Sequence, residues 1–360
     1  MSDTMESNVY QIKPNEMIKL FTTMYANQKP IDVPSQMLWG PPGIGKSQGV
    51  KAFAKEFEIV TGKTVITTDV RLLLFNPVDL RGIPVADKKH ELAIWLKPAI
   101  FQMDPSSDII NILFLDEISA APLSVQASAY QMTLDRVVGE HRLPDNCIVI
   151  AAGNRVTDKS VAYKMPKALA NRMSHMEIIP DIDDWKQWAI PAGIDSQIIG
   201  WLSWKSTNLF KFEANGDDVA FPSPRSWEMV DKYLKIFGSI EAAYPLIAGS
   251  IGKGAATEFK GYIKVFDKLP NIKEIYDGIE KNVPSNDPGL LYALSAAIAV
   301  YASKATTKQL ENVLTYFMNM PAEFTALTIR DMCIVKSVKE NFVKCPNWVK
   351  WCNKNKSFIL

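Results

Sequence analysis

The sequence predicts an α/β fold in which helices cover a parallel β-sheet, followed by an all-helical region. Up to about residue 180, short apolar or β-branched runs alternate with segments of helical spacing. This alternation is typical of a parallel sheet with helices on both faces. Farther on, the strand patterns fade, and Trp-, Leu- and Ala-rich segments with helical spacing take over. The 360 residues are enough for about two domains.

The individual elements follow from local patterns. A first helix is predicted over Asn15–Gln28, where apolar residues recur at helical spacing, and a second over Lys46–Phe57, after a glycine-rich turn. The Pro-containing stretch Phe221–Trp227 (FPSPRSW) opens a later helix. The predicted strands are Gln36–Trp39, Val65–Val70, Ile109–Leu115, Cys147–Ala152 and Met176–Ile179. We therefore expect a nucleotide-binding core with inserted hairpins over residues 1–185, a helical lid over 186–270 and a helical C-terminal extension over 271–360, a candidate partner-binding segment.

Composition excludes several classes of protein. The apolar fraction of 47% and the charged fraction of 22% exclude a mainly disordered or low-complexity chain. With 40 Lys and Arg against 39 Asp and Glu, the net charge of +1 gives no overall basic field to hold nucleic acid. The net charge does not exclude a local basic groove.

Cysteine use and terminal patterns indicate a soluble, cytoplasmic protein. The first residues, MSDTMESNVYQ, lack the charged-then-apolar order of a signal peptide. The longest uncharged apolar stretch, Pro288–Ser303, is shorter than the ~20 residues that span a bilayer, so we expect a buried helix and no membrane insertion. No CxxC pair is present, which favours reduced thiols, and the histidines lie in separate segments, which disfavours a histidine-built metal site. These residues are Cys147, Cys333, Cys345 and Cys352, and His90, His141 and His175.

The most specific motif is GPPGIGKS at Gly40–Ser47, which matches GxxxxGK[ST]. Glycines allow successive backbone N–H groups to surround phosphate oxygens, and the helix that follows points its positive end at the same charge. Lys46 would reach the β- and γ-phosphates, and Ser47 would bind Mg²⁺. The predicted ligands are ATP and Mg²⁺. The predicted nucleotide contacts are Gly40, Pro41, Pro42, Gly43, Ile44, Gly45, Lys46, Ser47, Gln48 and Asp116.

A second motif is the apolar strand ILFL that runs directly into Asp116 and Glu117. In P-loop enzymes the first carboxylate holds Mg²⁺, with Ser47 as the other metal ligand, and the second acts as general base for the attacking water. Alone, such a pair is a common helix N-cap. Together with the phosphate loop it indicates hydrolysis, and the spacing from Lys46 suggests a strand adjacent to the loop strand.

Three further polar residues would complete a hydrolase. Asn154 follows the apolar run CIVIAAG and would orient the lytic water. Arg172 lies near the end of a predicted helix, PKALANR, from which a cation could reach a nucleotide in a neighbouring subunit. Arg225 lies in the first turn of a lid helix, where a positive side chain is unfavourable to its own helix and suggests an anionic partner.

In order and spacing, these residues resemble the AAA+ ATPases, and within them the MoxR family. The resemblance is carried by GPPGIGKS, LFLDEIS, Ala120–Asp135, Arg136–Pro144 (RVVGEHRLP), IAAGNR, SPRSW and Asn76–Pro84 (NPVDLRGIP) with the following Val85–Leu96. It implies a P-loop NTPase fold, and a ring, usually hexameric, with ATP at the subunit interfaces. Asn154 would be sensor 1, Arg172 the arginine finger and Arg225 sensor 2. It also implies chaperone-like remodelling of a protein complex with a partner that carries a von Willebrand factor A domain.

Several alternatives stay open. Arg136 or Arg155 could share the trans role, and Arg225 could serve its own site or a neighbour's. If the family geometry holds, two hairpins would face the ring pore with Lys88, Lys89, Trp95, Arg136 and Arg142. Competing functions are an AAA+ ATPase that acts on DNA as a loader or translocase, a nucleotide-dependent scaffold with little turnover, and a small-molecule kinase.

Overall fold

The computed structural model describes residues 9–89, 91–158, 163, 165–214, 218–284 and 287–356. His90 and the first eight residues, on which the sequence predictions touched, lie outside these ranges. The chain divides into two compact units, one of Met1–Pro180 with Ala214–Gly216 and the other of Asp181–Glu213 with Asp217–Leu360. The predicted division into core, lid and extension stays a prediction.

The described residues of the first unit form one six-stranded parallel sheet and two small hairpins. The strands are β1 (Tyr10–Ile12), β2 (Ser35–Trp39), β3 (Thr64–Arg71), β4 (Ile83–Ala86), β5 (Ala93–Leu96), β6 (Ile109–Asp116), β7 (Val137–Val138), β8 (His141–Arg142), β9 (Cys147–Gly153) and β10 (Met173–Ile178). The sheet order is β1-β10-β2-β9-β6-β3, with every pairing parallel. The predicted α/β fold is confirmed.

Two strand predictions were wrong or incomplete. The acidic strand β6 is not adjacent to the loop strand β2, because β9 lies between them. Sequence spacing does not reveal this order, since a crossover connection can skip a position that a later strand fills. The edge strand β1 was missed because it has only three residues and just one of them is buried.

Burial explains why the central strands were readable. All seven residues of β9 and seven of the eight in β6 are buried, so both strands are apolar almost without interruption. On one face of the sheet, Leu113 of β6 and Val149 of β9 pack with Val125 and Met132, which lie in the segment after the acidic pair. On the other, aromatic side chains of the first two helices meet edge to face, as in Phe21 on Phe53. The sheet is therefore covered on both sides.

The helices of the first unit are short apart from the first two. They are α1 (Pro14–Asn27), α2 (Lys46–Thr61), α3 (Pro77–Arg81), α4 (Leu123–Tyr130) and α5 (Lys167–Ala170). Helix α2 runs four residues beyond its predicted end and stops at Gly62, which adopts the left-handed conformation and donates its N–H to the Glu58 carbonyl. A π-helical turn, Gln131–Asp135, continues α4.

Both predicted hairpins are present, as β4–β5 and β7–β8. They contact each other, because the His141 Nε2 atom lies 2.9 Å from the Trp95 carbonyl oxygen. A Cβ atom at Gly139, in the second hairpin's turn, would lie only 2.8 Å from the Arg81 carbonyl oxygen, so that turn packs closely against the end of α3. The two insertions thus form one paired feature of this unit.

Every regular element in the described part of the second unit is helical. The helices are α6 (Ile182–Ala189), α7 (Ser196–Trp204), α8 (Pro224–Phe237), α9 (Ile240–Ile251), α10 (Lys253–Phe266), α11 (Ile272–Tyr276), α12 (Pro288–Tyr301), α13 (Thr307–Phe317), α14 (Ala322–Met332), α15 (Lys336–Phe342) and α16 (Pro346–Lys354). Two apolar cores fill this unit, one built mainly by α6–α10 and the other by α11–α16. Helix α12, the predicted buried helix, contributes to both cores, which explains its apolar character on all sides. Within the described ranges, no helix is both long and apolar enough to span a membrane.

Candidate nucleotide site

The predicted phosphate loop connects the end of β2 to the start of α2. Gly43 and Gly45 have φ values of 79° and 106°, in the left-handed region that favours glycine. A Cβ atom at Gly45 would meet no atom within 4 Å, so its backbone conformation, not crowding, requires glycine there. The first turn of α2 follows directly at Lys46. The loop therefore has the backbone that an anion cradle at a helix N-terminus needs.

Lys46 closes over this loop. Its ammonium donates to the carbonyl oxygens of Gly40 at 2.6 Å and Pro41 at 3.2 Å, and to Asn154 Oδ1 at 2.8 Å. The side chain is only 9% exposed. Lys46 thus joins the loop to the residue that follows β9, two sites that are 108 positions apart in the sequence.

The acidic pair lies at the same edge of the sheet. The Ser47 hydroxyl donates to Asp116 Oδ2 at 2.8 Å, and the Glu117 N–H donates to Asp116 Oδ1 at 2.9 Å. A hydroxyl beside a carboxylate is a set of hard oxygen donors, which Mg²⁺ prefers. The residues present therefore fit the predicted metal. Although Asp116 is not on the neighbouring strand of the sheet, it meets Ser47 because parallel strands end at one edge.

Asn154 follows β9 directly and is held through both its side chain and its backbone. Its side-chain oxygen accepts from Lys46, and its backbone N–H donates to Ser119 Oγ at 2.9 Å. Ser119 is 1% exposed and packs against Gly153, where a Cβ atom would lie 2.7 Å from the hydroxyl. Sequence reasoning missed Ser119, since a single serine after an acidic strand carries no signal of such a contact.

Arg172 lies at the opposite edge of the sheet from the loop. Its neighbour Met173 pairs with Ser35, the first residue of β2, whereas the loop follows the last residue, Trp39. Strand β2 has five residues, so roughly 17 Å separate its start, near Arg172, from its end, where the phosphate loop begins. The helix predicted to carry Arg172 ends at Ala170, so the arginine lies in the turn that follows, with its guanidinium carbon 5.5 Å from the Tyr130 ring centre. The chain does not bring Arg172 to its own phosphate loop.

The two alternative arginines have internal partners. Arg136 is 6% exposed and donates to the carbonyl oxygens of Cys147 and Val33, at 3.0 and 2.6 Å. The expectation that it contacts a substrate or a neighbouring site was therefore wrong, because its donors are used inside the fold. Arg155 binds Asp158 at 2.9 Å and also pairs with Glu177. It anchors the segment after Asn154 to β10, which disfavours a role in trans.

The cysteines are free thiols, as predicted. Burial is the main cause that raises the pKa of the Cys147 thiol to about 12, and the nearby Arg136 pulls it down only in part. A thiol with such a high pKa is a poor nucleophile at neutral pH. Cys147 therefore belongs to the core and not to the chemistry of the site.

A sequence profile of the ATPase family associated with various cellular activities (AAA) matches residues 36–181. This segment is similar to the AAA ATPase domain. It covers β2 through β10 and contains the loop, the acidic pair, Asn154 and Arg172.

Solved structures resemble the chain only distantly. PCH-2 of C. elegans is 15% identical, with 84% of this chain and 72% of that chain covered and a TM-score of 0.35. A RuvB mutant of Thermotoga maritima is 14% identical, with 86% and 91% covered and a TM-score of 0.38. NtrX of Brucella abortus in complex with ATP is 14% identical, with 92% and 69% covered and a TM-score of 0.32. No curated protein matches this chain. We draw no functional argument from similarity at this level.

Arg225 lies outside the segment that matches the AAA family, in the second unit. It is exposed in the first turn of α8, two positions after the N-cap Ser223, whose hydroxyl accepts from the Ser226 N–H. The predicted helix start is therefore confirmed. The proposed function of Arg225 as sensor 2 stays a prediction.

Proposed function

We propose that this protein is an ATP-hydrolysing AAA+ ring motor of MoxR type that remodels a protein complex in the cytoplasm. The observation that carries the proposal is the convergence of Lys46, Ser47, Asp116 and Asn154 at one sheet edge, with Arg172 at the other. The first group can serve a triphosphate within one chain. The arginine is left to serve a different chain.

Each residue of the AAA domain has a distinct task in this mechanism. The backbone N–H groups of the loop and the Lys46 ammonium bind the β- and γ-phosphates. Ser47 and Asp116 would hold Mg²⁺, which would supply positive charge to the phosphate oxygens. Asn154 orients a water molecule, and Glu117 accepts its proton as the water attacks the γ-phosphorus. The remaining nucleotide contacts come from the other loop residues and the residue after Ser47, which are Gly40, Pro41, Pro42, Gly43, Ile44, Gly45 and Gln48.

Arg172 supports the oligomeric part of the proposal. A guanidinium near the γ-phosphate stabilises the charge of the transition state, and supply in trans makes hydrolysis depend on assembly. We propose a homo-oligomeric ring, hexameric as the family resemblance implies, with ATP between subunits, Arg225 as sensor 2 and a partner that carries a von Willebrand factor A domain.

The test measures ATP turnover and assembly together. We expect Mg²⁺-dependent ATP hydrolysis by the full chain, and ATP-dependent rings of Glu117→Gln chains in sedimentation velocity. Absence of Mg²⁺-dependent turnover at any protein concentration would contradict the proposal. Turnover that double-stranded DNA stimulates in a salt-sensitive manner would instead favour the DNA-acting alternative.

The substrate class is tested with the same variant. Glu117→Gln chains with ATP should retain a bound protein partner that Lys46→Ala chains, which bind ATP more weakly, do not retain at the same ATP concentration. Reconstitution of the trapped complex from purified components would identify the partner, and stimulation of wild-type turnover by that partner would support remodelling.

A further inference from the structure

His175, a residue to which the proposed function gives no role, makes two hydrogen bonds of opposite kind. Its Nδ1 atom lies 2.8 Å from the Trp39 indole Nε1, and its Nε2 atom lies 2.7 Å from the Ala170 carbonyl oxygen. The planes of the His175 and Trp39 rings differ by 14°, as expected for a hydrogen bond in the plane of both rings.

The two partners fix the chemical form of the imidazole. An indole N–H only donates and a carbonyl oxygen only accepts. Nδ1 must therefore accept and Nε2 must donate, so His175 is the neutral Nε2–H tautomer. Only a side chain with an acceptor at one position and a donor at another can make both bonds.

The bridge connects the two halves of the proposed active site. Trp39 is the last residue of β2, directly before Gly40, whose carbonyl holds Lys46. Ala170 is the last residue of α5, two positions before Arg172. The segment that presents the arginine is thus tied to the strand that leads into the phosphate loop by the His175 side chain as well as by the pairing of Met173 with Ser35.

The helix that precedes Arg172 contributes little buried surface. Helix α5 has only four residues, of which Leu169 alone is buried, and it begins after Pro166 with no side-chain cap. The last carbonyl groups of a helix lack partners within the helix. His175 satisfies one of them at Ala170, so its loss would free the end of the helix that Arg172 follows.

We propose that His175 is a positioning residue that sets where Arg172 is presented to the neighbouring subunit. This inference rests on the proposed function, because it requires Arg172 to act in trans. It adds to that function a physical link between the strand of a chain's own phosphate loop and the cation that the same chain offers to the next.

Mixed assemblies isolate this role. Chains with Lys46→Ala cannot hydrolyse ATP themselves but supply Arg172, and chains with Arg172→Ala keep an intact loop. We expect a mixture of the two to hydrolyse ATP. Adding His175→Ala to the Lys46→Ala chain should lower the turnover of the mixture at least tenfold, although that chain's own loop is already inactive.

Three companion variants separate positioning from general damage. His175→Gln, which offers an acceptor and a donor, should restore turnover of the mixture to within about threefold. Trp39→Phe, which removes the indole donor and keeps an aromatic ring, should lower it. Lys167→Ala, an exposed position on α5, serves as the matched control and should have no effect. His175→Ala with an intact loop should bind ATP within about threefold of the wild type while its kcat falls.

The outcomes distinguish the inference from the function on which it rests. If the mixture of Lys46→Ala and Arg172→Ala chains is inactive, the trans role of Arg172 fails and the inference fails with it. If that mixture is active and His175→Ala leaves its turnover unchanged, the positioning role is wrong while the proposed function stands. A glutamine variant that folds, binds ATP and supports no turnover would also overturn it.

Discussion

Glu117 combines a chemical role with an unusual backbone. Its φ of 57° lies in the left-handed region, which residues other than glycine rarely adopt, and its N–H is held by the Asp116 carboxylate. Strain of this kind costs of order 1–3 kcal/mol and occurs often at functional sites. The backbone turns sharply at the end of β6, which directs Glu117 away from the strand while Asp116 stays beside Ser47.

The first prediction concerns Glu117 as general base. Glu117→Gln keeps the shape and the backbone but cannot accept a proton, so we expect ATP to bind normally and turnover to fall about 100-fold or more. Isothermal titration and steady-state hydrolysis measure the two effects. Glu58→Gln, an exposed carboxylate on α2, is the control. Near wild-type turnover of Glu117→Gln would remove Glu117 as the base.

The second prediction concerns Lys46. Lys46→Ala removes a charge that faces the phosphates, and a lost charge-assisted contact of about 1.5–3 kcal/mol corresponds to roughly a 10- to 150-fold weaker affinity for ATP. Lys51→Ala, an exposed lysine on the same helix, should bind ATP normally. Equal affinities in the two variants would contradict the assignment of the loop.

At the scale of elements, the first hairpin depends on one glycine. Gly82 has a φ of 92°, and a Cβ atom there would lie 1.9 Å from the Leu96 carbonyl oxygen. Its neighbour Ile83 pairs with Leu96 in the first register of the hairpin. Backbone atoms cannot yield as a flexible side chain does, so this position excludes any larger residue.

The third prediction follows from this glycine. Gly82→Ala should open the β4–β5 pairing and speed amide hydrogen exchange over residues 83–96, while ATP affinity stays unchanged. Gly62→Ala is the matched control, because Gly62 has a φ of 67° but no atom within 4 Å of the added Cβ. That control should cost only the left-handed strain of about 1–2 kcal/mol. Unchanged exchange in Gly82→Ala would refute this account of the hairpin.

A buried ion pair joins two elements of the second unit. The Lys186 ammonium of α6 contacts both Asp331 oxygens of α14, at 2.8 and 2.9 Å, and both residues are at most 3% exposed. Burial raises the pKa of the Asp331 carboxyl, and the charge of Lys186 lowers it in part. Helix α6, the first of this unit, is thereby fixed to the C-terminal segment.

The fourth prediction tests this pair. Lys186→Met leaves Asp331 buried without its partner and should lower the free energy of unfolding by about 3–5 kcal/mol at neutral pH. Because the folded-state pKa of Asp331 would then rise further above its unfolded value, the loss should shrink as pH falls toward about 4, where the carboxyl is protonated. Denaturant unfolding at several pH values measures this. A second change, Asp331→Leu, should restore much of the stability, and a double variant no more stable than Lys186→Met would contradict the explanation.

At the scale of the whole molecule, the sequence predicted the fold and the site where a residue pattern is compatible with only one kind of element or site. The glycines and Lys46 of the phosphate loop, and the unbroken apolar runs of β6 and β9, identified the fold and the site. Strand order was not readable, since nothing local in β9 states that it lies between β2 and β6. The burial of Arg136 was also hidden, because its three carbonyl partners come from segments up to 106 positions away. Ser119 and His175 act through tertiary contacts that no spacing encodes.

The fifth prediction concerns the assembly. Because Arg172 lies at the far edge of the sheet from its own loop, a mixture of inactive Arg172→Ala and inactive Lys46→Ala chains should regain part of the wild-type turnover. Hydrolysis at varied mixing ratios, with a maximum at an intermediate ratio, measures this. The control is each variant alone at the same total concentration. No activity at any ratio would exclude the trans role.

The separation of Arg172 from its own loop has a kinetic consequence. A solitary chain would hold a complete cradle for the nucleotide and still lack the cation for bond cleavage. The specific activity per chain would then rise with increasing protein concentration and level off once every subunit has a neighbour. Cells could thus set the rate of ATP consumption simply through how much of the protein they make.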